Sequence, residues 1–334
     1  MSAASDAPQT IFAKMAASGA TQKLLAFASL VVLMIGFSIA SPNFFQTANI
    51  LAILQATSVN GVLAIAATLV IITGGIDLSV GTLMTFCAVM TGVVLTYLGL
   101  PLPLGVLTAI ATGAMAGCLS GTLVAKMKIP PFIATLGLML ILKGMSLVVS
   151  GTRPIYFNDT PGFDQISRGS LIGEIFPAVP VPNGVLILFL VAGAASYILS
   201  RTVLGRYCFA LGSNEEAVRL SGVNTDRWKI AIYSLSGAIV GIGGLIIASR
   251  LNSAQPALGL GYELEAIAAV VIGGTSLSGG RGTILGTLIG ALIMAVLLNG
   301  LRILNVAQEW QTVVTGVIII LAVYADTVRR KKTA

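Results

Sequence analysis

Asp77 and Lys143 are ionisable residues that fall inside long apolar runs of this 334-residue chain. A charge in such a run is costly, so each needs a partner or a task in moving something through an apolar medium. Asp77 follows Gly74-Gly75-Ile76, where two glycines can interrupt a helix, and precedes Leu78-Ser79. Its carboxylate can cap the helix that restarts there or meet a polar solute passing by. Lys143 can extend toward the headgroups or face inward. No catalytic residue and no metal set emerges. There is no histidine, and the three cysteines, Cys87, Cys118 and Cys208, are unevenly spaced.

Uncharged polar residues near the same depth are candidates for contact with a solute: Gln55 and Asn60 in one apolar run, and Gln255 just after another. A second glycine break, Gly273-Gly274-Thr275, echoes the first. Ala64-Ile65-Ala66-Ala67 precedes Gly74-Gly75 and Leu78-Ser79, as Ala266-Ile267-Ala268-Ala269 precedes Gly273-Gly274 and Leu277-Ser278. Glycine-interrupted segments at matching places in two halves point to broken helices lining a transport path. Gly74, Gly75, Asp77, Gly273, Gly274 and Thr275 are thus expected to change shape during passage.

The elements that must position these residues follow from composition. The chain is 56% hydrophobic and 9% charged, where soluble domains carry about a quarter charged residues. Apolar runs near 20 residues recur, each able to cross a hydrocarbon core of ~30 Å as a helix. The expected fold is an all-α integral membrane protein, a polytopic bundle of about ten transmembrane helices. The runs are 24–40, 49–73, 80–98, 104–125, 132–150, 184–200, 230–249, 264–274, 282–300 and 308–325. Residues 1–23 read as a cytoplasmic tail, 24–326 as the transmembrane domain and 327–334 as a basic cytoplasmic tail. The first apolar run is longer than the core of a cleaved signal, which favours an uncleaved span. Ten crossings from a cytoplasmic amino end put Lys14, Lys23, Lys126, Lys128, the stretch 201–229, Arg281 and the basic tail on one side, as the positive-inside bias requires. The net charge of +7 therefore reports orientation and contact with lipid headgroups, and no nucleic acid is implied.

Glycines at every fourth position, 113–117–121 and 282–286–290, let helix backbones approach closely, within the chain or between two copies. The stretch 201–229 is the long charged segment between apolar ones. Within it Ser213-Asn214-Glu215-Glu216 has the form of a capping box, and Gly222 can close a helix in the left-handed conformation. A two-turn helix from Asn214 to Ser221 is expected, with Ala217 in its interior and Arg219 and Leu220 in its last turn. So short a helix needs something to pack on, which marks it as a docking element or else an ordinary solvated turn.

Several long motifs resemble one family. Gly74-Gly75-Ile76-Asp77-Leu78-Ser79-Val80-Gly81, Leu204-Gly205-Arg206-Tyr207, Gly212-Ser213-Asn214, Leu220-Ser221-Gly222, and Gly261-Tyr262-Glu263-Leu264-Glu265-Ala266 through Gly273-Gly274-Thr275 resemble the ribose-type permeases of bacterial ABC sugar importers, over roughly Pro42 to Asp326. The resemblance implies an inner-membrane, multi-pass subunit working as a pair, with a separate cytoplasmic ABC ATPase that binds ATP and magnesium, and a periplasmic sugar-binding protein. It gives the helix Ser213, Asn214, Glu215, Glu216, Ala217, Arg219, Leu220, Ser221 and Gly222 the role of a coupling helix that docks on the ATPase. Loop 151–183 matches the family only loosely. A permease for branched-chain amino acids and an ion-coupled secondary transporter are the rival readings. Mid-membrane coupling groups for the latter are scarce.

A phosphate-binding loop needs Gly-Lys followed by Ser or Thr, and no Gly-Lys pair occurs in the chain. The purified chain is accordingly expected to turn over no ATP and to copurify with a separate nucleotide-binding subunit. ATP hydrolysis by the isolated chain, with contaminating ATPases excluded, contradicts this.

Overall fold

A computed structural model describes residues 19–331 other than 179; the outer parts of both terminal tails read from the sequence lie outside these residues. Twelve helices follow in order: α1 Gly19–Ala40, α2 Thr47–Ile72, α3 Val80–Gly92, α4 Leu102–Ala125, α5 Pro131–Ser150, α6 Leu171–Ile175, α7 Asn183–Arg201, α8 Val203–Leu220, α9 Thr225–Leu251, α10 Tyr262–Ile272, α11 Ile284–Ile303 and α12 Gln308–Lys331. α3 continues through one π turn, Val93–Tyr97. Eight helices are long and apolar enough to cross a membrane. Together with α1 and α10 they coincide with the ten apolar runs of the sequence.

The centre of the bundle is α2, α9 and α11, packed by Val62, Leu63, Ile65, Leu69, Val240, Ile246 and Met294, all buried. α4 and α9 run antiparallel in backbone contact. Gly113 lies on Gly237, Gly117 on Tyr233 and Gly241 on Ala109, so that a methyl group at Gly113 or Gly237 would occupy the other's carbonyl. The second glycine row packs on α10, with Gly286 against Gly273 and Gly290 against Ala269. Both rows therefore serve intrachain contacts.

Two crossings are not continuous helices. β1, Ile155–Tyr156, pairs antiparallel with β2, Ser253–Ala254, and Ile155 lies over Gly92 at one end of α3. Gly259 and Glu263 lie against Gly81 at the other end of α3. From β2 to the start of α10 the chain passes beside α3 without regular helix, as residues 254–261 in turns, with Gly259 against Gly81. α10 then completes the crossing with 11 residues. The short run at 264–274 is thus half of one discontinuous crossing. Residues 74–79 make the second interruption, between α2 and α3. The bundle has an end carrying α8, Gly74 and Gly274, and an opposite end carrying β1 and β2.

Some boundaries move. α9 begins at Thr225 rather than near 230, because Asn224 caps it by accepting from the Arg227 amide at 3.0 Å. α1 begins at Gly19, inside the stretch assigned to the tail, and α12 extends through residues 327–331.

Overpacking a close contact costs about 1–3 kcal/mol, whereas an exposed helical glycine gains about 0.5–1 kcal/mol on becoming alanine. Gly113→Ala is therefore expected to lower the thermal midpoint of the detergent-solubilised chain. Gly193→Ala, where nothing lies within 4 Å, is expected to leave it unchanged or raise it. Equal midpoints for the two variants would mean that α4 and α9 do not approach as described.

Candidate translocation path and docking surface

The two glycine breaks meet. α2 ends at Ile72, and Gly74 takes a left-handed φ of 81°, which turns the chain out of the helix. In the unwound stretch, Asp77 Oδ1 accepts from the amide and hydroxyl of Ser79 at 2.8 and 2.6 Å. Asp77 is buried, and its bonds to Ser79 hold the turn just ahead of α3, whose own cap residue, Ser79, makes no side-chain capping bond. The Thr135 hydroxyl, from α5, accepts from the Leu78 amide at 3.1 Å and sits 3.2 Å from the Ile76 carbonyl. At the second break Gly274, Gly279 and Gly280 all have positive φ. The Gly280 amide donates to the Ile72 carbonyl at 2.8 Å, and Gly279 lies on the backbones of Gly74 and Gly212. A side chain at Gly212 would take the place of that same Ile72 carbonyl.

Gly212 belongs to α8, so the charged segment grips both breaks. The Cys208 thiol, 3.2 Å from the Leu69 carbonyl, adds a second hold on α2. Sequence reasoning missed Gly212, Gly279 and Gly280, although Ser278-Gly279-Gly280-Arg281-Gly282 carried the signal. The short helix lies where expected to within a residue at each end, and only its cap differs. α8 starts at Val203, bends at Asn214 (φ −163°, ψ 95°) and resumes as residues 215–220. Asn214 is the cap, accepting from the Ala217 amide at 3.0 Å; Ser213 is not. The capping box slipped by one residue because asparagine caps as well as serine does. The Glu215 carboxylate pairs with Lys229 at 2.6 Å. Gly222, with φ 84°, closes the segment as expected.

The bent segment is held to its surroundings yet open outward. Tyr207 of α8 and Trp228 of α9 pack with ring centres 4.6 Å apart. Lys128 pairs with Asp226 at 2.7 Å. Between residues 215–219, Lys229 and residues 124–131 lies a cleft of about 430 Å³ lined by Glu216, Arg219, Pro130 and Pro131. Leu220 is 82% exposed at the tip.

Farther along the bundle the polar candidates separate. Asn60, midway along α2, donates to Glu265 Oε2 of α10 at 2.7 Å. Gln255 donates to Ser253 at 2.9 Å within its own turn. Gln55 is half-buried, nearer the β end. Lys143 lies beside Thr82, Thr85, Pro256 and Gly259, against the unwound crossing. Thr275 is buried, and its hydroxyl has no partner, as is true of Tyr233 beside Gly75.

The chain matches the family model described as branched-chain amino acid transport system / permease component over residues 49–323. It is 47% identical to the ribose import permease protein RbsC of Escherichia coli, with 89% of this chain and 91% of the relative covered. It is 42% identical to the protein of that name from Bacillus subtilis over 95% of both chains. Identity to the fructose import permease protein FrcC of Rhizobium meliloti is 39%, over 91% of this chain and 85% of the relative. No solved structure matches.

Removing a buried hydroxyl that has no partner relieves a desolvation cost of about 1–3 kcal/mol. Tyr233→Phe is expected to raise the thermal midpoint and to recover part of the loss caused by Gly75→Ala, whose new methyl group would press on that hydroxyl. A midpoint below wild type for Tyr233→Phe would reveal a partner for the hydroxyl.

Proposed function

We propose, since this chain belongs to the branched-chain amino acid transport system permease component family, that it is the membrane-spanning subunit of an ABC importer for a small sugar, ribose being the first candidate. The observation that carries the reading is the junction of Ile72, Gly280 and Gly212, which joins a charged docking segment to both interruptions of the path. The sugar class rests on the ribose and fructose import permeases to which the chain is similar.

In this reading two copies stand side by side, and each presents residues 215–220 to a separate cytoplasmic ATPase that holds ATP and magnesium. Lys126, Lys128, Arg206, Arg219, Arg227 and Lys229 cluster at the α8 end, which supports that end, and with it both termini, as cytoplasmic in the inner membrane. A periplasmic sugar-binding protein delivers to the β end, over residues 151–183. ATP binding moves the docked segment, and Gly212 passes that movement to the ends of α2 and α10. No bond of the sugar is made or broken by this chain.

The test is reconstitution of the chain with its ATPase and binding protein in proteoliposomes, and measurement of ribose, xylose, fructose and leucine uptake. ATP-dependent uptake of a sugar and not of leucine is expected; leucine uptake alone would favour the amino acid permeases. Ala217→Pro removes the first-turn amide that donates to the Asn214 cap, a loss of about 0.5–2 kcal/mol to a segment too short to be stable alone. This variant is expected to insert normally and to lose coupled transport. Normal uptake by Ala217→Pro would remove the segment from the coupling role.

A further inference from the structure

Glu265 is half-buried, on a half-helix that starts partway across the bundle. Its neighbour Glu263 is accounted for, being buried and accepting from the Gly261 amide at its own helix start. Glu265 instead reaches across to α2, where the buried Asn60 donates to Oε2 and Oε1 has no hydrogen bond among the described residues. The depth of the pair follows from packing: Thr68 meets Thr287 at 2.7 Å and Gly290 meets Ala269. Asn60 and Glu265 therefore lie near the midpoints of α2 and α11. Tyr262 and Arg302 stand within electrostatic reach, and Arg302 forms no ion pair with Glu265. A half-exposed carboxylate at mid-depth does not face hydrocarbon; such groups turn to a water-filled path or to protein.

We propose that Glu265, oriented by Asn60, is the polar contact that sugar hydroxyls meet midway across the membrane, and that the pair determines which arrangements of hydroxyls pass. This rests on the sugar-importer reading. A sugar ring is neutral and offers both donors and acceptors. The free carboxylate oxygen accepts a charge-assisted hydrogen bond from a sugar hydroxyl, and the Asn60 carbonyl oxygen remains available to accept from a second hydroxyl. One contact of this kind suits transit, since a full ring of partners would hold the sugar in place.

The test uses the complete complex in proteoliposomes with radiolabelled ribose, xylose and fructose, reading sugar moved per ATP. Glu265→Gln and Asn60→Ala are expected to assemble and to keep ATPase activity that the binding protein stimulates. Loss of a charge-assisted contact is expected to lower sugar moved per ATP by about tenfold, unequally among the three sugars. An unchanged ratio in Glu265→Gln, or an equal fall for all three sugars, overturns the proposal. So does recovery of the ratio by Asn60→Glu with Glu265→Gln, which restores only the link between α2 and α10. If Glu265→Gln fails to insert, Glu265→Asp with the same readout decides. A wild-type complex that moves none of the three sugars refutes the sugar reading itself, which is a separate result.

Discussion

Everything in this bundle turns on one requirement: backbone amides and carbonyls inside hydrocarbon must find partners within the protein. Where a helix is continuous the requirement meets itself. Where α2 and α10 stop short, their ends need outside groups, and the structure supplies them reciprocally. The Ile72 carbonyl takes the Gly280 amide, and the Thr135 hydroxyl sits against the carbonyl of Ile76 and the amide of Leu78. Only glycine allows backbones this close, which is why Gly74, Gly212, Gly279 and Gly280 gather at one place. Partners found in this way are specific but few.

The fold was legible because hydrophobic runs of membrane length are a strong signal, and each of the ten coincided with a helix. The echo of Ala-Ile-Ala-Ala before each glycine break also pointed to real interruptions. What the sequence did not disclose was contact between residues far apart. Nothing local to Gly212 says that it rests on Ile72, and nothing local to Asn60 says that its partner is Glu265, 205 positions on. Glu265 passed unnoticed because two acids in the first turn of a helix read as ordinary complements to its dipole. The cap of the short helix was misread for a smaller reason. Ser213 and Asn214 are both good caps, and only the backbone at Asn214 decides between them.

The segment 215–220 is a short piece of helix with little packing of its own. Its position is fixed by what flanks it: the Tyr207–Trp228 contact on one side and the Lys229–Glu215 and Lys128–Asp226 pairs on the other. Lys229 is largely buried, at 15% exposure, while Lys128 and Asp226 are more open to solvent. The inner pair is thus the firmer of the two, since exposed ion pairs contribute about 0–1 kcal/mol.

The brevity of α10 bears on how the chain is made. Its 11 residues fall well short of the ~20 apolar residues that let a helix enter a bilayer alone, and the unwound stretch before it exposes polar backbone. The insertion machinery thus meets a segment it cannot release into lipid by itself. α11 follows after a short loop, with 20 strongly apolar residues. The two enter as a hairpin, and the unwound crossing settles only after α3 and α9 are present to cover it. Biogenesis of the carboxyl-terminal half therefore waits on the amino-terminal half, and a chain truncated after α10 would leave that half-helix stranded at the membrane surface.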